Sequence, residues 1–440
     1  MSDQAAPVRP LRHLGRFRLT AVGINSVIGG GIFIMPATVA ALVGPASLGA
    51  YVLAGTVVIG VGLALASLAA RFDGSGGPYL YVHRAFGAFA GFQIGWLFCL
   101  ARLTAMANLV NGFAQYIGAL FPWAAQPVAR GALIAACAGV ITAINVIGIR
   151  QTSGAMNLFA FAKVVPLLIL GVAGVFFLRA ENFAITAFEP MSFLRAVLLL
   201  IFVFSGFEIL TVPAEESLQP RRDMPFALFA TILTVCAIYM LVHSVATGML
   251  PALATDPAPL ATAASIMAGP AGRYAMTLVA ATSMAGCALV SLVGGTRLLY
   301  AMSAARQIPH WMGALHAGRR TPVQATLLMG GLGTVLAIFG AYDTLAAISA
   351  GTRMLVYLAC CLASLKLAGA SGEAPSGARP RLVATLTAGA IIVLLSGLKG
   401  REAVWGAFGI GLGTVLYLGM SLYAGARRGR AAEAVGGTGQ

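Results

Sequence analysis

The sequence predicts an all-α polytopic membrane protein, and three observations carry this prediction. Hydrophobic residues make up 59% of the 440 positions and charged residues only 9%, whereas soluble domains usually carry about 25% charged residues. The apolar runs are roughly twenty residues long, which is the length that a membrane-spanning helix requires. A membrane β-barrel is excluded because its strands would alternate polar and apolar residues over segments of about ten residues.

Polar breaks between the apolar runs divide the chain into about 12 predicted transmembrane helices. The third and eighth runs are longer than one bilayer needs, so we expect these helices to be strongly tilted. Residues 1–18 and 426–440 are predicted to form polar tails. The predicted spans lie near residues 19–42, 46–70, 85–118, 129–148, 154–178, 192–213, 225–250, 271–304, 322–341, 343–368, 382–398 and 402–425.

Lysine and arginine are distributed unevenly over the loops. In alternate loops, 18 of them lie on the side of the N-terminus and 6 lie on the opposite side. The positive-inside rule therefore predicts that both termini are cytoplasmic, and the composition favours the cell (inner) membrane of a bacterium. The net charge of +15 follows from the same bias. Nucleic-acid binding is not indicated, because the positive charges are dispersed over loops instead of gathered on one face.

Two predicted spans carry glycine and proline where an unbroken helix is expected. The first contains GINSVIGGGIFIMPA (23–37) and the sixth contains VFSGFEILTVPAEES (203–217). Glycine inside a helix costs about 1 kcal/mol relative to alanine, and proline about 3 kcal/mol. These spans open two five-helix halves, 19–178 and 192–368, which two accessory helices at 382–425 follow. Matched interrupted spans point to a transporter binding site; the alternative is that the glycines only permit close helix packing.

Unwinding of these helices would create a site with two chemical characters. At Gly29–Gly31, freed backbone N–H groups and the positive end of a helix suit a carboxylate. Freed carbonyl groups around Val27, Ile28 and Phe204 suit an ammonium group or a cation. A single site with both characters fits a zwitterion such as an amino acid.

These stretches resemble the signatures of the amino acid–polyamine–organocation (APC) transporter superfamily. The glycine run that ends in Gly-Ile-Phe is similar to the first helix of that family. The Gly-Phe-Glu segment, followed by an acidic pair and by QPRRDMP (219–225), is similar to the sixth helix and the next loop. The resemblance runs from about residue 15 to 425 and includes GGPYLYVHRAFG (76–87), GFQIGW (91–96) and TRLLYAMSAARQIPHW (296–311). One departure is ARQIP (305–309), which lacks the acidic residue usual in the family.

The resemblance implies a LeuT-like fold of 5+5 inverted repeats that transports amino acids by alternating access. It also implies which residues bind the substrate, since the motifs match position by position. Phe207 would be an aromatic gate beside this set. The residues that would line the substrate are Val27, Ile28, Gly29, Gly30 and Gly31 of the first helix and Phe204, Ser205, Gly206 and Phe207 of the sixth.

Ionisable residues inside predicted spans indicate function by default. Lys163 lies in the fifth span, where the resemblance implies that its charge replaces the sodium ion of sodium-coupled relatives. Its protonation would then couple transport to protons; the alternative is a permanently charged lysine bonded to carbonyls of the first helix. Glu208 is expected to pair with Arg102 or Arg353, either as a latch or as a scaffold.

Other function classes find little support in the sequence. An integral-membrane enzyme would need a catalytic constellation, but the five histidines are scattered. The six cysteines lie in apolar segments without a CxxC pair, so neither a metal site nor a disulfide framework is indicated. We expect no cofactor, and the expected partners are an amino acid, the lipid bilayer and, if transport is coupled, protons. Two alternatives stay open: the protein is an exchanger instead of a symporter, or its substrate is a polyamine, a purine or an inorganic ion. The shortage of acidic residues favours a neutral amino acid.

Overall fold

The computed structural model describes ten segments of the chain. These are residues 15–72, 77–148, 153–184, 188–208, 210, 219–316, 319, 321–368, 378–398 and 400–436. Within them every regular element is a helix, and no strand occurs.

Fifteen α-helices are found in the described segments, joined in places by short 3₁₀ turns. Those of the first half are α1 (Arg16–Val27), α2 (Gly31–Val43), α3 (Ser47–Ala69), α4 (Pro78–Phe86), α5 (Ala88–Leu120), α6 (Pro127–Ile147), α7 (Ser153–Gly174) and α8 (Pro190–Val203). Those of the second half are α9 (Pro220–Met249), α10 (Pro259–Ala304), α11 (His310–Gly313), α12 (Val323–Phe339), α13 (Tyr342–Leu367), α14 (Ala378–Leu395) and α15 (Gly400–Gly436).

The helices have the lengths and composition of a polytopic membrane protein. Within the residues that the structure describes, seven helical stretches are long and apolar enough to cross a bilayer, and the longest, Pro259–Ala304, has 46 residues. Four shorter apolar helices accompany them: Ala162–Phe177, Pro190–Val203, Val323–Phe339 and Pro380–Leu395. The helical, multi-pass class predicted from composition is thus confirmed, whereas the count of twelve and the repeat arrangement stay predictions.

Several helix ends differ from the apolar runs of the sequence. The third run was predicted to begin at residue 85, but α5 begins at Ala88, because Gly87, with a positive φ of 90°, separates it from α4. The helix α10 begins well before residue 271 and bends at Gly269, where φ is 62°. The last helix continues to Gly436, into the segment 426–440 that the sequence assigns to a tail. Glycine provides the break in the first two cases, because it alone adopts a positive φ without strain.

The helix α5 occupies the centre of the molecule and packs against α10 and α13. On one side of it, α3 packs against α8 and α9. By contrast, α6 and α15 present exposed apolar side chains such as Val140 and Phe408, as helices in contact with lipid do. Charged side chains on α5 therefore lie inside the protein, where burial demands partners.

Candidate functional site

The first predicted span is broken at its middle. The helix α1 ends at Val27, and Ile28 has an extended backbone with ψ of 92°; α2 begins at Gly31. We call residues 28–30 the first break. The first N–H groups of a helix have no partner within that helix, so the positive end of α2 faces the break and suits an anionic group.

Gly30 is enclosed by side chains from two other helices. A Cβ atom at this position would lie 2.5 Å from Cδ2 of Leu109 and 2.7 Å from Cγ of Met284. Real Cβ atoms are essentially never that close to a neighbour, so any larger residue at this position requires the Leu109 and Met284 side chains to shift. The first break therefore lies against α5 and α10, and its immediate neighbours are apolar.

A second break follows α8. The chain turns at Phe204–Gly206, and Gly206 has a φ of 117°. Residues other than glycine rarely adopt a positive φ of this size. A Cβ at Gly206 would overlap the carbonyl oxygen of Ser26, so the second break packs against the last turn of α1, directly before the first break. The Ser205 hydroxyl donates a hydrogen bond of 2.7 Å to the Phe202 carbonyl. The continuation of this span, residues 211–218, lies outside the described residues.

Donors from three other helices already contact the carbonyl groups at the first break. Lys163 Nζ on α7 donates to the Asn25 oxygen at 2.5 Å. The Tyr239 hydroxyl on α9 donates to the Val27 oxygen at 2.9 Å. The Cys287 thiol on α10 lies 4.0 Å from the Ile28 oxygen. Side chains of three helices thus supply donors to the carbonyl groups where α1 ends, as buried backbone acceptors require.

Aromatic rings surround the second break. The Phe204 and Tyr239 ring centroids are 5.5 Å apart, and the Tyr51 ring lies 6.5 Å from both of them. Phe207, the residue expected to act as a gate, is fully buried and its ring lies 5.6 Å from that of Tyr357. Aromatic pairs at these separations contribute beyond the area that they bury, so the break has rigid walls.

The structure brings Glu208 together with both arginines that the sequence offers as partners. Its Oε1 accepts a hydrogen bond from Arg353 and a longer one of 3.4 Å from Arg102. Its Oε2 accepts from the Gly206 N–H at 2.8 Å and from the Tyr357 hydroxyl at 3.2 Å. We call Arg102, Glu208 and Arg353 the charge cluster. Because Glu208 binds the backbone of the second break, the cluster is part of the architecture of that break.

A cavity of about 430 Å³ lies beside the C-terminal part of α2, on the side away from the first break. We call this cavity the vestibule. At its rim the Thr38 hydroxyl lies 3.2 Å from Oδ1 of Asp343, and in its wall Arg195 makes two 2.7 Å hydrogen bonds with Glu402. It is lined by Ile34, Ala37, Thr38, Ala41, Leu42, Gln115, Arg195, Leu199, Ala254, Thr255, Asp256, Pro257, Ala341, Tyr342 and Asp343.

Tyr239, Cys287 and Tyr357 contact the site without having been found by sequence reasoning. Each is a single weakly polar residue within an apolar stretch, and such residues are common where helices simply pack. Their importance comes from the groups that they face, and helix rotation, which decides this, cannot be fixed from spacing alone. The only sequence signal for these three residues is a hydroxyl or a thiol within an otherwise apolar membrane segment.

The chain is similar in sequence to known transport proteins. The profile of a family described as "Amino acid permease" matches residues 14–417. The branched-chain amino acid permease BcaP of Bacillus subtilis is 28% identical over 359 residues, which cover 76% of each chain. The methylthioribose transporter of the same organism is 26% identical over 377 residues, 79% of each chain. The aromatic amino acid transport protein AroP of Corynebacterium glutamicum is 33% identical over 250 residues, 53% of this chain and 52% of its own.

Proposed function

Because the chain belongs to the amino acid permease family, we propose that it is a secondary active transporter that moves amino acids across the cell membrane by alternating access. A member of this family is a transporter and not an enzyme. The observation that carries the proposal is the contact of the second break, at Gly206, with Ser26 in the last turn of the interrupted first span. Two interrupted helices that meet inside a helical membrane protein are the hallmark of a transporter binding site.

The proposed architecture is the LeuT-like arrangement of twelve spans. Two inverted halves, residues 19–178 and 192–368, would each begin with a broken helix, and two accessory helices at 382–425 would follow. In support, the breaks occur in the opening span of each proposed half. The stretch Gly31–Ala69, counted as one apolar stretch of 39 residues, consists of α2 and α3 with a 3₁₀ turn between them, and two spans fit within it.

In the proposed binding mode the substrate carboxylate lies at the N-terminal end of α2, at Gly29, Gly30 and Gly31. Its ammonium group would bind carbonyl groups of the two breaks, around Val27, Ile28 and Phe204, whose second lone pairs stay available beside the donors already bound. Ser205, Gly206 and Phe207 would close the site from the sixth span.

A neutral amino acid with an apolar side chain is the proposed substrate. The side chains that enclose Gly30 are those of Leu109 and Met284, and the second break is walled by Phe204 and Tyr239. An apolar pocket of this kind favours an apolar group by removing it from water. The names of two relatives, a branched-chain permease and an aromatic amino acid transport protein, agree with this choice.

Proton coupling through Lys163 is the proposed source of energy. The side chain is 8% exposed, and its ammonium group donates to the Asn25 carbonyl just before the first break. Loss of its proton would remove a buried charge and weaken the support of the unwound segment, so protonation and the geometry of the site are linked. The alternative is an exchanger in which Lys163 stays charged and has a structural role.

The orientation that we propose places both termini in the cytoplasm, on the basis of the arginine and lysine distribution. The vestibule would then face the exterior, because α2 runs from the first break toward the side opposite the N-terminus. The charge cluster would lie on the cytoplasmic side of the breaks.

The experiment that tests the function is uptake of radiolabelled amino acids into proteoliposomes with an imposed inward pH gradient. We expect concentrative uptake of neutral amino acids that collapses when the gradient is dissipated, and we expect Lys163→Ala to lose the dependence on the gradient. Liposomes without protein provide the background. Uptake that requires preloaded amino acid and ignores pH would support the exchanger, and no uptake of any amino acid by the wild type would refute the proposal.

A further inference from the structure

The charge cluster carries an excess of positive charge. Among the side chains that the structure describes there, two guanidinium groups face one carboxylate. Arg102 is 6% exposed and Arg353 is 1% exposed, so water screens neither charge effectively. A buried charge is costly unless a partner of opposite sign and hydrogen bonds compensate it. One positive charge in this cluster is therefore available to a second anionic group.

The two arginines share Glu208 unequally. Arg353 makes the close ion pair, whereas the nearest atoms of Arg102 and Glu208 are 3.4 Å apart. The Nε atoms of both arginines have no hydrogen-bond partner among the described residues, so the difference between the two lies in their distances to Glu208. Its guanidinium group lies 4.9 Å from the ring centroid of Phe98, an arrangement that favours a cation but occupies none of its N–H donors. Arg102 is thus the arginine that can exchange its partner at the lower cost.

Arg102 and the vestibule lie on opposite sides of the two breaks along α5. On α5 it precedes Leu109, which encloses Gly30, by about two helical turns. Gln115, which lines the vestibule, lies about 20 Å further along the same helix at 1.5 Å per residue. On the α10 side Arg102 faces Gly294, where a Cβ atom would be 3.4 Å from its Cζ. A substrate that leaves the breaks away from the vestibule would therefore pass close to Arg102.

We propose that Arg102 binds the carboxylate of the substrate on the side of the breaks remote from the vestibule. The inference rests on the proposed function. As substrate leaves the first break, the Arg102 guanidinium exchanges its long bond to Glu208 for the departing carboxylate, and Arg353 retains Glu208. The guanidinium fork matches a carboxylate with two parallel N–H donors, and the substrate supplies the negative charge that the cluster lacks. Arg102 is then a second carboxylate site, which binds the substrate after it has left the N-terminal end of α2.

The same excess charge could be met by an inorganic anion such as chloride, since both ligands are anions. The two sources differ in what they predict for transport. A substrate carboxylate makes Arg102 important for amino acid affinity at one membrane face, whatever salt is present. A resident chloride ion makes transport depend on chloride at constant ionic strength.

The test is a measurement of KM at each membrane face separately, in proteoliposomes of defined orientation that contain the full chain. For Arg102→Gln we expect KM to rise about tenfold to a hundredfold at the face remote from the vestibule, as for the loss of a charge-assisted hydrogen bond. At the vestibule face we expect no change beyond about twofold, which is the usual resolution of such a comparison. Arg130→Gln is the matched control. Arg130 on α6 is part-buried and donates a hydrogen bond of 2.8 Å to Asn111, which lies in the half of α5 that leads to the vestibule.

A substrate analogue in which an amide replaces the carboxylate separates binding from mere support of the fold. Its inhibition constant at the remote face should not respond to Arg102→Gln, whereas that of the amino acid should rise. If Arg102→Gln does not fold, Arg102→Lys retains the charge without the fork and should give a smaller rise in the same KM. An unchanged KM at both faces, an equal change at both faces, or dependence on chloride would overturn the proposal. Transport of no amino acid by the wild type would instead refute the proposed function itself.

Discussion

The Tyr239 hydroxyl donates a hydrogen bond of 2.9 Å to the carbonyl oxygen of Val27, the last residue before the first break. The same Tyr239 hydroxyl lies 3.5 Å from the carbonyl oxygen of Val203, which is the last residue of α8. One side chain of α9 therefore touches both interrupted helices at the point where they meet. Its ring is fixed by Tyr51 and Phe204, so the hydroxyl is positioned by packing.

Tyr239→Phe removes this hydroxyl and leaves the ring in place. We expect the KM for substrate to rise about tenfold, because a buried carbonyl that loses its donor costs about 1–3 kcal/mol. Tyr51→Phe is the control: it makes the same chemical change in the same ring cluster, but the Tyr51 hydroxyl has no partner among the described residues. Equal effects of the two substitutions in transport assays would show that the hydrogen bond to Val27 is unimportant.

Gly206→Ala tests the second break. The substitution places a methyl group at a φ of 117° and against the backbone of Ser26, and strain of this kind costs about 1–3 kcal/mol or more. We expect loss of uptake together with a lower melting temperature. Gly331→Ala, on an exposed face of α12 with no atom within 4 Å of the added Cβ, should retain both. Wild-type uptake by Gly206→Ala would mean that the breaks do not need to touch.

Glu208→Gln removes the negative charge from between two buried arginines. Loss of one partner from a buried ionic network typically costs about 3–5 kcal/mol, so we expect a clear fall in the melting temperature of the purified protein. Glu181→Gln changes an exposed carboxylate and should leave the melting temperature unchanged. A Glu208→Gln protein as stable as the wild type would show that Glu208 does not compensate Arg102 and Arg353.

The Arg195–Glu402 pair joins α8 to α15 through two 2.7 Å hydrogen bonds. Arg195→Met and Glu402→Met should each destabilise the protein by about 3–5 kcal/mol, because each removes the ion-pair partner of a buried charge. The double substitution should cost much less than the two single substitutions together, since it leaves no charge behind. Thermal unfolding of all four proteins provides this cycle, and additive costs would show that the two side chains act independently.

Much of the fold follows from simple features of the sequence. The helical membrane class depends only on the length and polarity of the apolar runs, and the first break could be located because consecutive glycines at 29–31 weaken a helix. Pro36, by contrast, lies within α2 and does not interrupt it. The pairing of Glu208 with Arg102 and Arg353 could be expected because a buried charge needs a partner, although not that both arginines share one carboxylate.

The remaining features depend on helix rotation and on loops. Nothing in the spacing of α9 indicates that Tyr239 faces the first break, because any face of an apolar helix can pack against its neighbours. The eighth run was predicted to begin at residue 271, but α10 begins at Pro259 and bends at Gly269, just before that run. A glycine in an apolar run allows a bend without requiring it, and only tertiary contacts decide between the two.

The central claim is that substrate binds at the first break, and substrate binding by Gly30→Leu tests it most directly. A Cβ at Gly30 already reaches Leu109 and Met284, so a larger side chain must displace these two side chains, which enclose the proposed site. Equilibrium binding of a radiolabelled neutral amino acid to purified protein is the measurement, with Gly331→Leu as the control on an exposed helix face. We expect Gly30→Leu to remain folded and to bind no substrate, while Gly331→Leu binds like the wild type. Wild-type affinity in Gly30→Leu would contradict the assignment of the site.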